Sequence, residues 1–254
     1  MTGFHVELHG ATAVMTLDRP KANAIDAATS KAMGDVFATL DADSAVRAII
    51  LTGAGPKFFS AGWDLSADEA FDSDYGIGGF GGFAELPDRA TPVIAAVNGM
   101  AVGGGFEIAI SADLIVAADH SQFWLPEAAL GILPDAGAVR LPRLLPPHVA
   151  RELLLTGRRM DAAEAHRWGI VAKVVHGEEL LAAALDLAAA ISVSAPLSIA
   201  AMLDIERRTV NLSTSEAMAL LKSLPSYRNA IDSEDAKEGQ AAFTERRPPV
   251  WKGC

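Results

Sequence analysis

The stretch AVGGGFEIAI, residues 101–110, sets a carboxylate, Glu107, into an otherwise apolar run just after three consecutive glycines. Glycine costs about 0.5–1 kcal/mol relative to alanine in a helix or strand, so three together mark a place where something approaches the backbone closely. A carboxylate at such a place is equipped for proton transfer, and exposed backbone amides for holding negative charge. Other catalytic signatures are missing from the sequence. It has no G-x-S-x-G elbow, no H-E-x-x-H and no pair of cysteines, and its six histidines (His5, His9, His120, His148, His166, His176) are scattered. A formal G-x-G-x-x-G at Gly76, Gly78 and Gly81 follows DSDY rather than a strand, which excludes a dinucleotide loop. Carboxylates and backbone dipoles are the tools left, and no metal site is expected.

The elements that must position them can be read from periodicity. Residues 4–9 and 12–18 alternate around Gly10 as a hairpin. Asp26 caps a helix whose apolar face is Met33, Val36, Phe37 and Leu40. VRAIILTG, TPVIAAVNG and DLIVAAD are short aliphatic runs bounded by glycine, proline or aspartate, and read as buried strands. With helices between them, residues 1–194 are expected to form an α/β core. From Asp161, MDAAEAHRWG reads as a helix stopped by Gly169, followed by a strand IVAKVV. The pattern then turns helical, with Ser213 and Glu216 as a capping box, so residues 195–254 are expected to be a docked helical region. SADEAFDSDYGIGGFGGFAE, between Leu65 and Glu85, has no period and reads as a long, mobile loop.

The 254 residues, 50% of them hydrophobic, suffice for a large core. A net charge of −11 argues against nucleic acid or an anionic membrane as a partner, and means that a small anionic ligand would need a local basic patch. Cys254 is the only cysteine, which rules out an intrachain disulfide. The opening MTGFHVELHG lacks a basic-then-apolar secretion pattern, and no apolar run reaches the roughly 18 residues of a membrane span. A cytoplasmic location is the expectation.

Two further stretches, KFFSAGWDL (57–65) and WLPEAALGILPDAG (124–137), together with NGMAVGGGFE, resemble the crotonase (enoyl-CoA hydratase/isomerase) superfamily. The similarity runs nearly end to end, from TLDRPKANAID through LTGRRMDAAEAHRWGIV to SEDAKEGQAAFTERRPPVWKG. LDRPKANAID, KFFSAGWDL and the ending PVWKG are particularly similar to the branch that interconverts crotonobetainyl-CoA and carnitinyl-CoA. The resemblance implies a spiral of ββα turns, a C-terminal helical trimerisation region, and a homotrimer or dimer of trimers. It implies an acyl-CoA thioester substrate, no cofactor beyond its CoA, and reversible hydration of a 2-enoyl thioester. A general short-chain hydratase, a double-bond isomerase and a catalytically silent acyl-CoA-binding oligomer are the alternatives.

By family position, the backbone N–H groups of Trp63 and Gly104 polarise the thioester carbonyl, and Gly104 opens a helix. Glu107 then activates water and Glu127 exchanges the α-proton, with burial against Phe106, Trp124 and Leu125 expected to raise one pKa. Taken singly, each glutamate would be a capping residue in a first helical turn. The glycine triplet, the SAGWD turn and both glutamates together point to catalysis instead. CoA contacts map to Lys21, Ala22, Ala24, Ser60, Ala61, Asp64 and Leu65, and Gly103, Pro134 and Asp135 complete the substrate-binding set. Lys21 and Lys57, with Arg246, Arg247 or Lys252 of a neighbouring chain, would supply positive charge. Asp135 stands where typical hydratases carry glycine, and is either a third active-site carboxylate or a helix cap. A trimethylammonium group would suit the faces of Trp63, Trp124 and Tyr75, with Asp68, Glu69, Asp72 or Asp74 as counter-charge.

Overall fold

Along the aliphatic run Ala48–Gly53 successive side chains point to opposite faces, Ala48 and Ile50 to one and Ile49 and Leu51 to the other, and all four are wholly buried. That two-sided burial makes this strand, β3, the middle of a sheet. The computed structural model describes residues 3–70, 73–86 and 88–254. In chain order its strands are β1 (Phe4–His9), β2 (Thr12–Leu17), β3, β4 (Phe58–Ser60), β5 (Val93–Val97), β6 (Met100–Val102), β7 (Leu114–Ala118), β8 (Gln122–Trp124), β9 (Met160–Asp161) and β10 (Lys173–Val175). The larger sheet runs β1-β2-β3-β5-β7-β10. Its first pair is the antiparallel hairpin expected around Gly10; the remaining pairs are parallel.

Helices cover both faces, as a parallel sheet requires. On one side α1 (Ala27–Ala42) buries Met33 and Phe37, with Val36 and Leu40 packed at the margin, and the Asp26 carboxylate accepts from Thr29 N–H at 2.7 Å as its N-cap. On the other, α6 (Leu180–Ser192) lays Ala183, Ala184 and Ala188 over Val14, Ile50, Ile94 and Val116. Between them in sequence come α2 (Gly104–Ala109), α3 (Asp135–Leu144), α4 (Pro147–Thr156) and α5 (Ala162–Arg167). The strand expected over IVAKVV shrinks to Lys173–Val175. Ile170 and Val171 both donate their N–H groups to Ala165 O, closing α5, and are lost to the ladder.

Four helices end the chain: α7 (Pro196–Thr209), α8 (Thr214–Leu221), α9 (Pro225–Ile231) and α10 (Glu234–Glu245). The Ser213–Glu216 capping box forms as expected. Trp251 returns to the end of α6, its indole N–H donating to Val193 O at 2.8 Å. Met202, Met218 and Phe243 remain exposed along these helices. Among the described residues, no single helix is long and apolar enough to cross a membrane.

The loop before Glu85 departs from the expected mobile segment. It holds no helix or strand among its described residues, yet Gly78–Phe83 is pressed into the core. Gly81 N–H donates to the buried Ser30 hydroxyl at 2.7 Å, and Phe83 lies 4.8 Å from Phe37 between ring centres. A Cβ at Gly82 would sit 2.5 Å from Gly34 N of α1. The glycines in this part serve close packing.

Candidate active site

A second, four-stranded sheet, β4-β6-β8-β9, positions the site. Its first three strands are mutually parallel, so their C-terminal ends open on the same side, the usual place for a ligand crevice. β4 runs into the turn at Gly62 and Trp63, β6 into Gly103 and α2, and β8 into a 3₁₀ turn at Glu127–Leu130.

Each glycine of the 103–105 triplet makes room for another part of the protein. Gly103 adopts φ 54°, and a Cβ there would lie 2.5 Å from Glu127 Oε1. A Cβ at Gly104 would meet the Phe80 ring at 2.5 Å, and one at Gly105 would collide with the Ser60 carbonyl. Across the gap, Gly62 has φ +78°, and a Cβ on it would lie 2.6 Å from Gly104 N. The turn after β4 and the start of α2 therefore meet backbone to backbone. Gly104 is the first residue of α2, so the helix supplies no acceptor for its N–H. In the parallel bridge between Ile25 and Trp63, Ile25 uses Gly62 O and Asp64 N–H, which turns the Trp63 N–H away from Ile25.

Glu107 and Glu127 converge on the cavity beside these amides, a space of about 180 Å³ also lined by Trp63, Tyr75, Phe80 and Asp135. Both are nearly shut off from solvent, with 8% and 7% exposure. Burial pushes the Glu107 carboxyl up to about 7; the negative charges of Asp135 and Glu127 add to this, and the Gly137 amide, donating to Oε1 at 2.7 Å, opposes it. Burial raises Glu127 as well, reinforced by Asp135. Glu127 Oε2 is buried with no hydrogen-bond partner among the described residues. An orphaned carboxylate oxygen is expensive unless the group carries a proton or meets a reactant. Glu107, held by the Gly137 amide, and Glu127, with its orphaned oxygen, thus face one cavity as two buried carboxyls of raised pKa.

The enoyl-CoA hydratase/isomerase family model matches residues 7–254. The chain belongs to the enoyl-CoA hydratase/isomerase family. It is 54% identical to the carnitinyl-CoA dehydratase of Citrobacter koseri over 98% of both chains, and 53% identical to that of Escherichia coli over the same share. Among solved structures, the enoyl-CoA hydratase of Mycobacterium tuberculosis superimposes with a TM-score of 0.91 at 37% identity, and one from Mycobacterium marinum with 0.92 at 39%. Each covers the whole of both chains.

The remaining residues expected from the family pattern are brought together unevenly. Leu65, Gly103 and Asp135 line the main cavity with the two acids and Ala61. Pro134 is buried beneath it as the N-cap of α3, so Asp135 is the first residue of that helix rather than its cap; its carboxylate accepts from Ala136 N–H at 2.7 Å. Lys21, Ala22 and Lys57 line a separate cleft of about 320 Å³ together with Arg19. Ala24 O accepts from the Arg19 guanidinium at 2.8 Å. Ser60 is wholly buried, donating to Asn23 O and accepting from Gly62 N–H, so its side chain shapes the turn. Ala61 and Asp64 donate their N–H groups to Ala22 and Ile25.

The cation cage needs correction. Trp124 lines neither cavity wall; the Arg159 guanidinium lies 4.4 Å over its ring. Glu69 accepts from Ala27 N–H at the start of α1, Asp74 pairs with Lys31 at 2.8 Å, and Asp68 is exposed and does not line the cavity. Asp72 lies outside the described residues. Of the residues proposed for that cage, Trp63 and Tyr75 reach the cavity. Arg247 is held by Glu238 and Glu245 of its own chain. The sequence reading missed Gly137, which holds Glu107, and Phe80, which roofs Gly104. Neither carries a local signal: one is a glycine in a helix, the other an aromatic in a glycine-rich loop.

Proposed function

We propose that the chain reversibly hydrates a 2-enoyl-CoA thioester, with crotonobetainyl-CoA and carnitinyl-CoA as the favoured pair. The observation that carries this reading is the pair of buried carboxylates, Glu107 and Glu127, facing one cavity beside the Gly104 and Trp63 amides. In hydration, the water oxygen bonds to the β-carbon as Glu107 takes a water proton, and Glu127 passes its proton to the α-carbon. Negative charge developing on the thioester oxygen is held by the two amides; losing one such donor typically costs about 3–4 kcal/mol. Dehydration reverses every transfer: Glu127 removes the α-proton and Glu107 releases the hydroxyl as water. Both directions use a pair that shares one proton, and burial raises both carboxyls, Glu107 to about 7, which lets the pair keep that proton near neutrality.

The aromatic faces of Trp63 and Tyr75, with the exposed carboxylate of Asp135, support a trimethylammonium-bearing acyl group. The cleft bearing Arg19, Lys21 and Lys57 supports CoA phosphate binding in an otherwise acidic protein. Exposed Met202, Met218 and Phe243 support assembly of the helical region, 195–254, as a homotrimer or dimer of trimers. The test is turnover on crotonobetainyl-CoA against crotonyl-CoA. Higher kcat/KM on the former is expected; equal or better activity on crotonyl-CoA would make the enzyme a general short-chain hydratase.

A further inference from the structure

Glu107 stands between two cavities. Behind it, away from the Gly104 amide, lies a smaller space of about 60 Å³ whose own walls include Ala84, Glu85, Ser111 and Ala136. Tyr75, Phe80, Glu107 and Asp135 border both spaces, so Glu107 is part of the partition. The small cavity has room for about two waters at roughly 30 Å³ each. It also has the polar partners that water needs. Ser111 Oγ donates to Glu107 O at 2.8 Å and keeps its lone pairs, and Glu85, another of the wall residues, is exposed to solvent.

The reaction gives this space a task. Each hydration consumes a water and each dehydration releases one, while the seated thioester fills the main cavity and its mouth. Water exchanging only through that mouth would wait for the thioester to leave. We propose that the cavity behind Glu107, opening at Glu85, is a solvent port through which the reacting water enters and leaves while the thioester stays bound. The port rests on the hydratase reading above.

Ala84→Leu and Ala136→Leu fill the port from opposite walls, the loop and α3, and Glu85→Leu blocks its exposed opening without disturbing the core. Three quantities are measured: hydration kcat, affinity for saturated butyryl-CoA, and loss of a heavy-oxygen label from hydroxyacyl-CoA per enoyl-CoA released. A blocked port should lower kcat about tenfold by making water exchange limiting, with butyryl-CoA affinity unchanged. Label loss per enoyl released should fall toward one, because water trapped beside Glu107 adds back before it escapes. A merely structural defect would slow both proportionally and leave their ratio alone. That unchanged ratio, or turnover within about twofold of the parent in all three variants, overturns the port. A parent enzyme inactive on every enoyl-CoA would instead overturn the hydratase reading.

Discussion

In the middle strands of the six-stranded sheet, β2, β3, β5 and β7, both faces are buried and mostly apolar, whereas the four-stranded sheet ends in two buried carboxylates, one of them with an orphaned oxygen. The first region stabilises the fold through ordinary packing. The second lowers stability locally, because a charged carboxylate is held out of water where only the Gly137 amide and the local backbone offset it. So costly an arrangement at one sheet's edge, beside backbone amides brought together by glycines, is what the proposed proton transfer requires.

The largest break between the regions should be catalytic. Glu107→Gln and Glu127→Gln keep the shape of the site and are each expected to lower hydration kcat by about 10²–10⁴-fold while retaining affinity for a saturated acyl-CoA. Steady-state rates with butyryl-CoA binding as control check this; unchanged rates in both variants would remove the pair from the chemistry. Conversely, Ile50→Ala in the large sheet should lower unfolding free energy by about 2–5 kcal/mol, measured by denaturant titration, and leave the pH profile in place.

A smaller effect of opposite sign sharpens the contrast. The folded protein holds a proton on Glu107 up to about 7, while an unfolded glutamate loses it near 4.5. The native state thus binds more protons across that window, and stability from this group falls as pH rises through it. Glu107→Gln should therefore stabilise the protein by up to about 3 kcal/mol above pH 7 and change little below the ordinary carboxylate range. Denaturation midpoints at acid and mildly alkaline pH decide it; a variant less stable at high pH would show that the charge is well solvated. The smallest expected change separates two aromatics. Tyr75→Ala should weaken discrimination for crotonobetainyl-CoA over crotonyl-CoA by about 0.5–2 kcal/mol, and Trp124→Ala, under Arg159, should leave it unchanged.

Much of this organisation was legible in the residues. The aliphatic runs of β3, β5 and β7, the Asp26 cap and the Ser213–Glu216 box are local signals, and the structure forms each of them. What escaped are contacts between distant segments. Gly103 must leave room for Glu127, and Gly82 for Gly34, yet nothing in either neighbourhood names the partner. The glycine-rich loop read as mobile because composition cannot distinguish a flexible glycine from one needed for close packing. Trp124 read as a ligand face because the Arg159 that covers it lies 35 positions away, across the β8–β9 pair and beyond sequence pattern. The acidic loop misled for a related reason: Glu69 and Asp74 are committed to α1.

The most direct test is the pH dependence of kcat/KM, measured for hydration and dehydration alike. The net reaction takes up no proton, and both directions need the carboxyl pair to share one. The prediction is one bell for both directions, its alkaline limb falling near the Glu107 value of about 7 and abolished in Glu107→Gln. A profile flat through neutrality in the parent enzyme would contradict it.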